Sequence, residues 1–344
     1  MKRQLLYGAA VAMMLAACSN NETEGLSDQP ENAVAIHIGQ SVEGMTARAA
    51  IENGSNVTAT VLTATYSSSY VEETVWKDFS PIYADVLAQG DKALTTPANL
   101  STATFIAGTK QAVSLNPVLY YYPSNGTAIT AVAPAGTISG NNVMIQLQDG
   151  EQDVMFAPAQ TVATKPESQD AANKAPVTLT FAHKTTQLNF AFKLSATPTD
   201  SWKDKTVSVK DITVQNASVP VSVKIPEGTV TFKTPAGNLD VPGIVSGNNI
   251  TTEVLKVGRP VMVDASSDIK LNVTLTVGNK DYAFSNVQVM KNGEDEKLTS
   301  VIGSSHLITL TVTEPVTPSD GIEITTQATV TEWNMGQEGS GELK

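Results

Sequence analysis

Residues able to do chemistry are few and scattered along the 344-residue chain, which has one cysteine and three histidines. His37, His183 and His306 stand far apart, at positions that read as a strand's outer face, the apolar end of a strand and the start of an apolar run. Such isolated imidazoles are expected to be structural or solvated rather than ligands. Asp149-Gly150-Glu151-Gln152-Asp153 and Glu294-Asp295-Glu296 offer carboxylates to a hard cation. Neither has the alternating oxygen-ligand spacing of a calcium loop, so solvated turns are expected. Serine and threonine abound, but none stands in a nucleophile-elbow pattern with a matching histidine and acid. Trp76, Trp202 and Trp333 could stack on sugar rings, although a buried anchor is the expected role of Trp333. No catalytic constellation, metal site or cofactor is expected, and the chain does not read as an enzyme.

The lone cysteine rules out an internal disulfide and a cysteine-based zinc site. Its setting gives it another use. Lys2 and Arg3 are followed by an apolar run from Leu5 to Ala17, too short to span a bilayer, and then by Leu15-Ala16-Ala17-Cys18. This is the pattern of a bacterial lipoprotein signal over residues 1–17. The small residues before Cys18 let an extended chain enter a peptidase cleft, and the thiol is the nucleophile for lipid transfer. The alternative is an ordinary secretory signal with an incidental cysteine. Acyl chains such as palmitate on Cys18, at about 0.8 kcal/mol per buried CH₂, would hold the protein at a membrane. Ser19 in place of aspartate favours the outer membrane by resemblance to known lipoproteins.

Residues 18–32 are acidic and polar, with almost nothing to bury, and read as a disordered tether. Val34, Ile36 and Ile38 then alternate with Ala35, His37 and Gly39, the pattern of a half-buried strand. A second strand is predicted over Val57 to Tyr66. Ser80-Pro81 could open a short helix closed by Gly90. Strands resume at Thr102 to Ile106. Leu115 to Pro123 and Ala128 to Ala133 flank Ser124-Asn125-Gly126 and read as the arms of a hairpin. The stretch from Ala157 to Pro176 has no apolar period and reads as a linker or long exposed loop. It divides the chain into lobes of residues 33–165 and 176–344. Beyond it, short strands follow at roughly ten-residue spacing, ending with Ile322 to Trp333.

The composition agrees. Charged residues are 16% of the chain, with 22 Lys plus Arg against 34 Asp plus Glu and a formal charge of -12. No basic face is available for phosphate neutralisation, which excludes nucleic-acid binding as a main function. The polar surface is instead built from threonine, serine, asparagine and glycine, and the recurrent alternation of valine with threonine suits pleated sheet. An all-β protein of two β-sandwich domains in tandem is expected.

Several of these pieces together resemble the fimbrillin family of Bacteroidetes pilus subunits. They are the signal ending at Cys18, the early strand closing on Arg48, Tyr121-Tyr122-Pro123 with Ala133-Pro134, and Asp153-Val154-Met155-Phe156-Ala157. Phe181-Ala182-His183-Lys184 running into Leu188 and Phe190, and Glu332-Trp333 near the end, complete the set. Arg48 sits in Thr-Ala-Arg-Ala, whereas the commoner pattern has arginine directly after threonine.

The resemblance implies transthyretin-like sandwiches, export as a surface-exposed outer-membrane lipoprotein, and cleavage between Arg48 and Ala49 by an arginine-specific protease. Cleavage would discard Cys18 with its lipid and the strand of Val34, Ile36 and Ile38, as part of residues 33–48. A strand from another fimbrial subunit would refill the groove, and the contact, being heterologous, would propagate as a filament supporting adhesion and biofilm formation. The alternative for Arg48 is an uncut loop arginine. Ile322, Ile324 and Val330, with Trp333, form the candidate donor strand, but Asn334 to Lys344 is glycine-rich and without apolar period, which suits a tip or terminal subunit that only accepts. A second class of function also fits the residues: a glycan-binding surface lipoprotein using exposed tryptophan and tyrosine.

Overall fold

The structure, a computed structural model, describes residues 34–42, 56–66, 100–107, 113–121, 126–162, 165–199, 201–225, 227–315 and 323–332. In chain order its elements are β1 (His37–Val42), β2 (Asn56–Tyr66), β3 (Leu100–Ile106), β4 (Val113–Ser114), β5 (Gly126–Ala133), β6 (Thr137–Ser139), β7 (Asn142–Met144) and β8 (Met155–Val162). There follow a short helix α1 (Gln169–Lys174), β9 (Val177–His183), β10 (Thr186–Leu194), β11 (Val207–Ala217), β12 (Pro220–Lys224), β13 (Thr229–Phe232) and β14 (Gly237–Asp240). The last are β15 (Leu255–Val263), β16 (Lys270–Val277), β17 (Lys280–Gln288), β18 (Ser304–Thr313) and β19 (Glu323–Glu332). The protein is all-β, as its Val/Thr alternation requires. In β16, for instance, Leu271, Val273, Leu275 and Val277 are buried while the residues between them are half-exposed.

The first lobe is one sheet in the order β3-β2-β5-β8-β9-β1-β4. Its ends meet: Thr102 and Asn116 each donate a backbone N–H to the other's carbonyl at 3.0 Å. The sheet therefore curls around a single core of Val57, Ala59, Val61, Phe105, Ile129, Leu179 and Phe181, joined by residues on and next to β1. Phe105 and Phe181 stack at 5.3 Å between ring centroids. In the second lobe two four-stranded sheets, β15-β10-β18-β19 and β14-β11-β16-β17, enclose a core that includes Phe190, Phe192, Trp202, Leu271 and Leu310. Trp202 is thus a core anchor, and cannot serve as a sugar platform.

A fourth sheet, β13-β12-β7-β6, joins the lobes. Ser222, Val223 and Lys224 of β12 pair with Met144, Val143 and Asn142 of β7. Beneath this junction Leu62, Val132, Val143, Phe156, Val223 and Ile225 form a third core, drawn from both halves of the chain.

Three expectations need correction. β9 pairs with β8 and with β1, so the first sheet system runs past Pro176 and the chain passes to the second only at Lys184–Thr185. The stretch read as linker also contains α1, started by Ser168, whose hydroxyl accepts the Ala171 N–H. Finally, Leu115 to Tyr121 and β5 do not form a hairpin. β5 pairs with β2 and β8, while the Leu119–Tyr121 stretch bonds to the chain entering β1. The predicted helix between Ser80 and Gly90 lies outside the described residues.

Candidate functional site

The N-terminal strand enters the curled sheet between two partners. On one side Ile38 to Val42 runs parallel to Val177 to Phe181 of β9. On the other, His37 and Ile38 pair antiparallel with Ser114 and Val113, the Ile36 N–H donates to the Leu119 carbonyl at 2.7 Å, and the Tyr121 N–H donates to the Val34 carbonyl at 3.0 Å. Alternation turns Val34, Ile36 and Ile38 inward, where they are 4%, 1% and 0% exposed against Leu119, Tyr121, Leu179 and Phe181. His37 is half-buried on the opposite face, as its position in the strand predicts.

β9 offers its last partner to the strand at Val177, and the preceding Pro176 has no N–H to give. Here a side chain takes over. Gln169, first residue of α1, accepts the Ala35 N–H on Oε1 at 2.7 Å and donates from Nε2 to the Ala35 carbonyl at 3.2 Å. Burial of Ala172 in the core ties α1 to the sheet. Further along, Gln40 is buried and donates from Nε2 to the Ile106 carbonyl, and the Ser41 and Thr180 hydroxyls meet at 3.1 Å. Ala35, which lies before the β9 pairing begins, thus has its backbone N–H and C=O met by a glutamine.

Loss of this strand would leave a slot in both ladder and core. Three aliphatic side chains at ~1.5–3 kcal/mol each, with several backbone hydrogen bonds near ~1 kcal/mol each, set the scale of the driving force to refill it. Of the other expected residues, Ile324 is half-buried on β19 against the second lobe's core, and Val330 lies opposite His306 in the β18–β19 register. The first-lobe strand and the candidate donor strand are therefore held in different lobes. Cys18, Arg48, Ala49, Ile322, Trp333 and Trp76 lie outside the described residues.

The turn Asp149–Asp153, read as solvated, is so only in part, because Asp153 is buried. Asp153 Oδ1 lies 2.9 Å from His183 Nδ1, with both side chains buried, and Glu151 pairs with Arg259 at 2.8 Å across the lobe junction. Lys291 pairs with Glu294 at 3.4 Å and with Glu296 at 2.8 Å. Among the described residues no group of three or more His, Cys, Asp or Glu could hold a metal ion. His306 is fully buried, and that burial lowers its pKa to about 4. Burial likewise raises the pKa of Tyr121 beside the strand. Sequence reasoning missed Gln169 and the Asp153–His183 pair, because each joins residues more than two dozen positions apart.

A curled sheet holding its first strand between two partners, joined through a small sheet to a second β-sandwich, defines a two-lobed all-β protein. A family model described as fimbrillin-like matches residues 71–333, and the chain belongs to that family. A candidate cell adhesion protein from Bacteroides uniformis is 16% identical with a TM-score of 0.50, the alignment covering 89% of this chain and 100% of that one. A candidate cell adhesion protein from Bacteroides ovatus is 12% identical, also with a TM-score of 0.50 and coverage of 89% and 100%. A C-terminally truncated tip fimbrial protein from Porphyromonas gingivalis is 10% identical, with a TM-score of 0.39 and coverage of 87% and 100%. No curated protein sequence matches. Among the described residues no helix is long and apolar enough to cross a membrane.

Proposed function

We propose that this protein is a structural subunit of a cell-surface fimbria, exported as an outer-membrane lipoprotein through acylated Cys18 and activated by cleavage between Arg48 and Ala49. Cleavage releases the segment holding Val34, Ile36 and Ile38, and a strand from another subunit takes its place. The observation that carries this reading is the position of β1 and the residues before it. They supply buried side chains from between two flanking strands, yet they precede every other described strand, so one cut can free them without severing the rest of the described fold.

The arginines support the site of the cut. Arg3 belongs to the signal segment, and Arg259 sits inside β15, engages Glu151 and is followed by Pro260. Arg48 is the remaining one. At the other end, β19 pairs with β18 over ten residue pairs, from Ser304–Glu332 to Thr313–Glu323. Giving it away would strip the second lobe of an edge strand, so the subunit is better suited to accept a strand while keeping its own, the requirement of a tip or terminal position.

An Arg48→Ala variant expressed in its host is expected to stay full length, keep its lipid and fail to enter detergent-resistant ladders on a gel. Unchanged laddering with loss of the lipid would contradict cleavage at this site.

A further inference from the structure

We infer that Gln169 is a backbone-reading clamp for whichever strand fills the first-lobe groove: the chain's own N-terminal strand before processing, and the incoming strand after it. The inference rests on the strand-replacement reading above, and adds to it a binding residue for the peptide group of the donor. A primary amide side chain presents N–H donors and a carbonyl acceptor, the same two kinds of group that a neighbouring strand would offer. Gln169 uses both on a single residue, Ala35.

The need for such a residue follows from the ladder. Val34 and Ile36 direct their hydrogen-bonding groups towards Tyr121 and Leu119, so Ala35 points its own N–H and C=O the opposite way. β9 would cover that side, but its pairing with the strand begins only at Ile38–Val177. Without Gln169 one donor and one acceptor beside the buried Val34 and Ile36 would lose their partner. Two further contacts hold the amide in place: Nε2 also donates to Asn173 Oδ1 at 2.9 Å, and Ala172 anchors α1 in the core.

Because the hydrogen bonds that Gln169 makes to the strand go to backbone alone, they are indifferent to the side chain at that position. Selection by side chain falls instead to the slots occupied by Val34, Ile36 and Ile38. The ligand class is an extended polypeptide with a free N–H at the clamp position, so proline or an N-methylated residue there is excluded.

The test uses the full chain cut after Arg48 by an arginine-specific protease, challenged with a labelled synthetic peptide of residues 33–42. The wild-type protein is expected to take up the peptide, and Gln169→Ala to bind it about tenfold more weakly, the size of roughly 1.4 kcal/mol. A peptide N-methylated at Ala35 should bind the wild-type protein as weakly as Gln169→Ala binds the unmodified one, with no further loss when both changes are combined. Hydrogen exchange at the Ala35 amide in the uncut chain gives a second readout, expected to quicken in Gln169→Ala. Equal peptide binding by wild type and variant overturns the clamp while leaving strand replacement standing. Failure of the cut wild-type protein to take up any peptide overturns strand replacement, and the clamp with it.

Discussion

His306 shows how a single residue can tie the second lobe to pH. It sits on β18, fully buried on the same face as Ile308 and Leu310, with its pKa lowered by desolvation from 6.5 to about 4. In the unfolded chain the imidazole takes up its proton near pH 6.5, whereas in the folded one it resists until about pH 4. Between those values the unfolded state binds more protons, so stability falls as the pH drops and levels off below about 4. The full shift corresponds to about 3 kcal/mol. Urea unfolding at pH 7 and pH 4.5 should show wild type losing more stability than His306→Leu by about 2–3 kcal/mol. Equal losses would show that His306 does not govern the slope.

At the scale of elements, β1 must leave its place for the account to hold. Ser41 and Thr180 are paired in the parallel β1–β9 ladder with their hydroxyls 3.1 Å apart, so cysteines placed there would face each other across the ladder. Ser41→Cys combined with Thr180→Cys, oxidised, should therefore lock the strand and block assembly, and a reductant should restore it. Assembly of the oxidised form would contradict strand release. The first strand itself was legible in the sequence, since Val34, Ile36 and Ile38 alternate cleanly and the period of two points them all to one face. The second lobe was legible for the same reason, as a run of short alternating strands. Alternation reports a strand's faces but not its neighbours. That is why Leu115–Tyr121 reads as a partner of β5, its neighbour in sequence, when its hydrogen bonds go to Thr102 and to Val34 and Ile36. The lobe boundary erred similarly, because the turn-rich, unpatterned stretch before β9 lies inside the first sheet system. α1 escaped notice because six residues with one buried alanine leave almost no helical period. Gln169 carried no signal at all, since nothing local marks a glutamine whose partner is Ala35.

Across the whole molecule, the junction sheet and its core decide whether the lobes behave as one body. Gly228, beside β12 and β13, has φ +67°, and a Cβ there would lie 2.1 Å from the Phe156 ring of the junction core. Gly228→Ala should cost at least ~1–3 kcal/mol through backbone strain and overpacking. In calorimetry it should lower Tm and split the unfolding of the two lobes, while an unchanged trace would show that the junction does not couple them.

The central claim is that an assembled subunit has lost its own N-terminal strand. Mass spectrometry of the protein recovered from sheared fimbriae reads this directly. The account predicts a chain beginning at Ala49, with no peptide covering residues 34–42. A chain beginning at acylated Cys18 and retaining Val34, Ile36 and Ile38 within the fimbriae would contradict it.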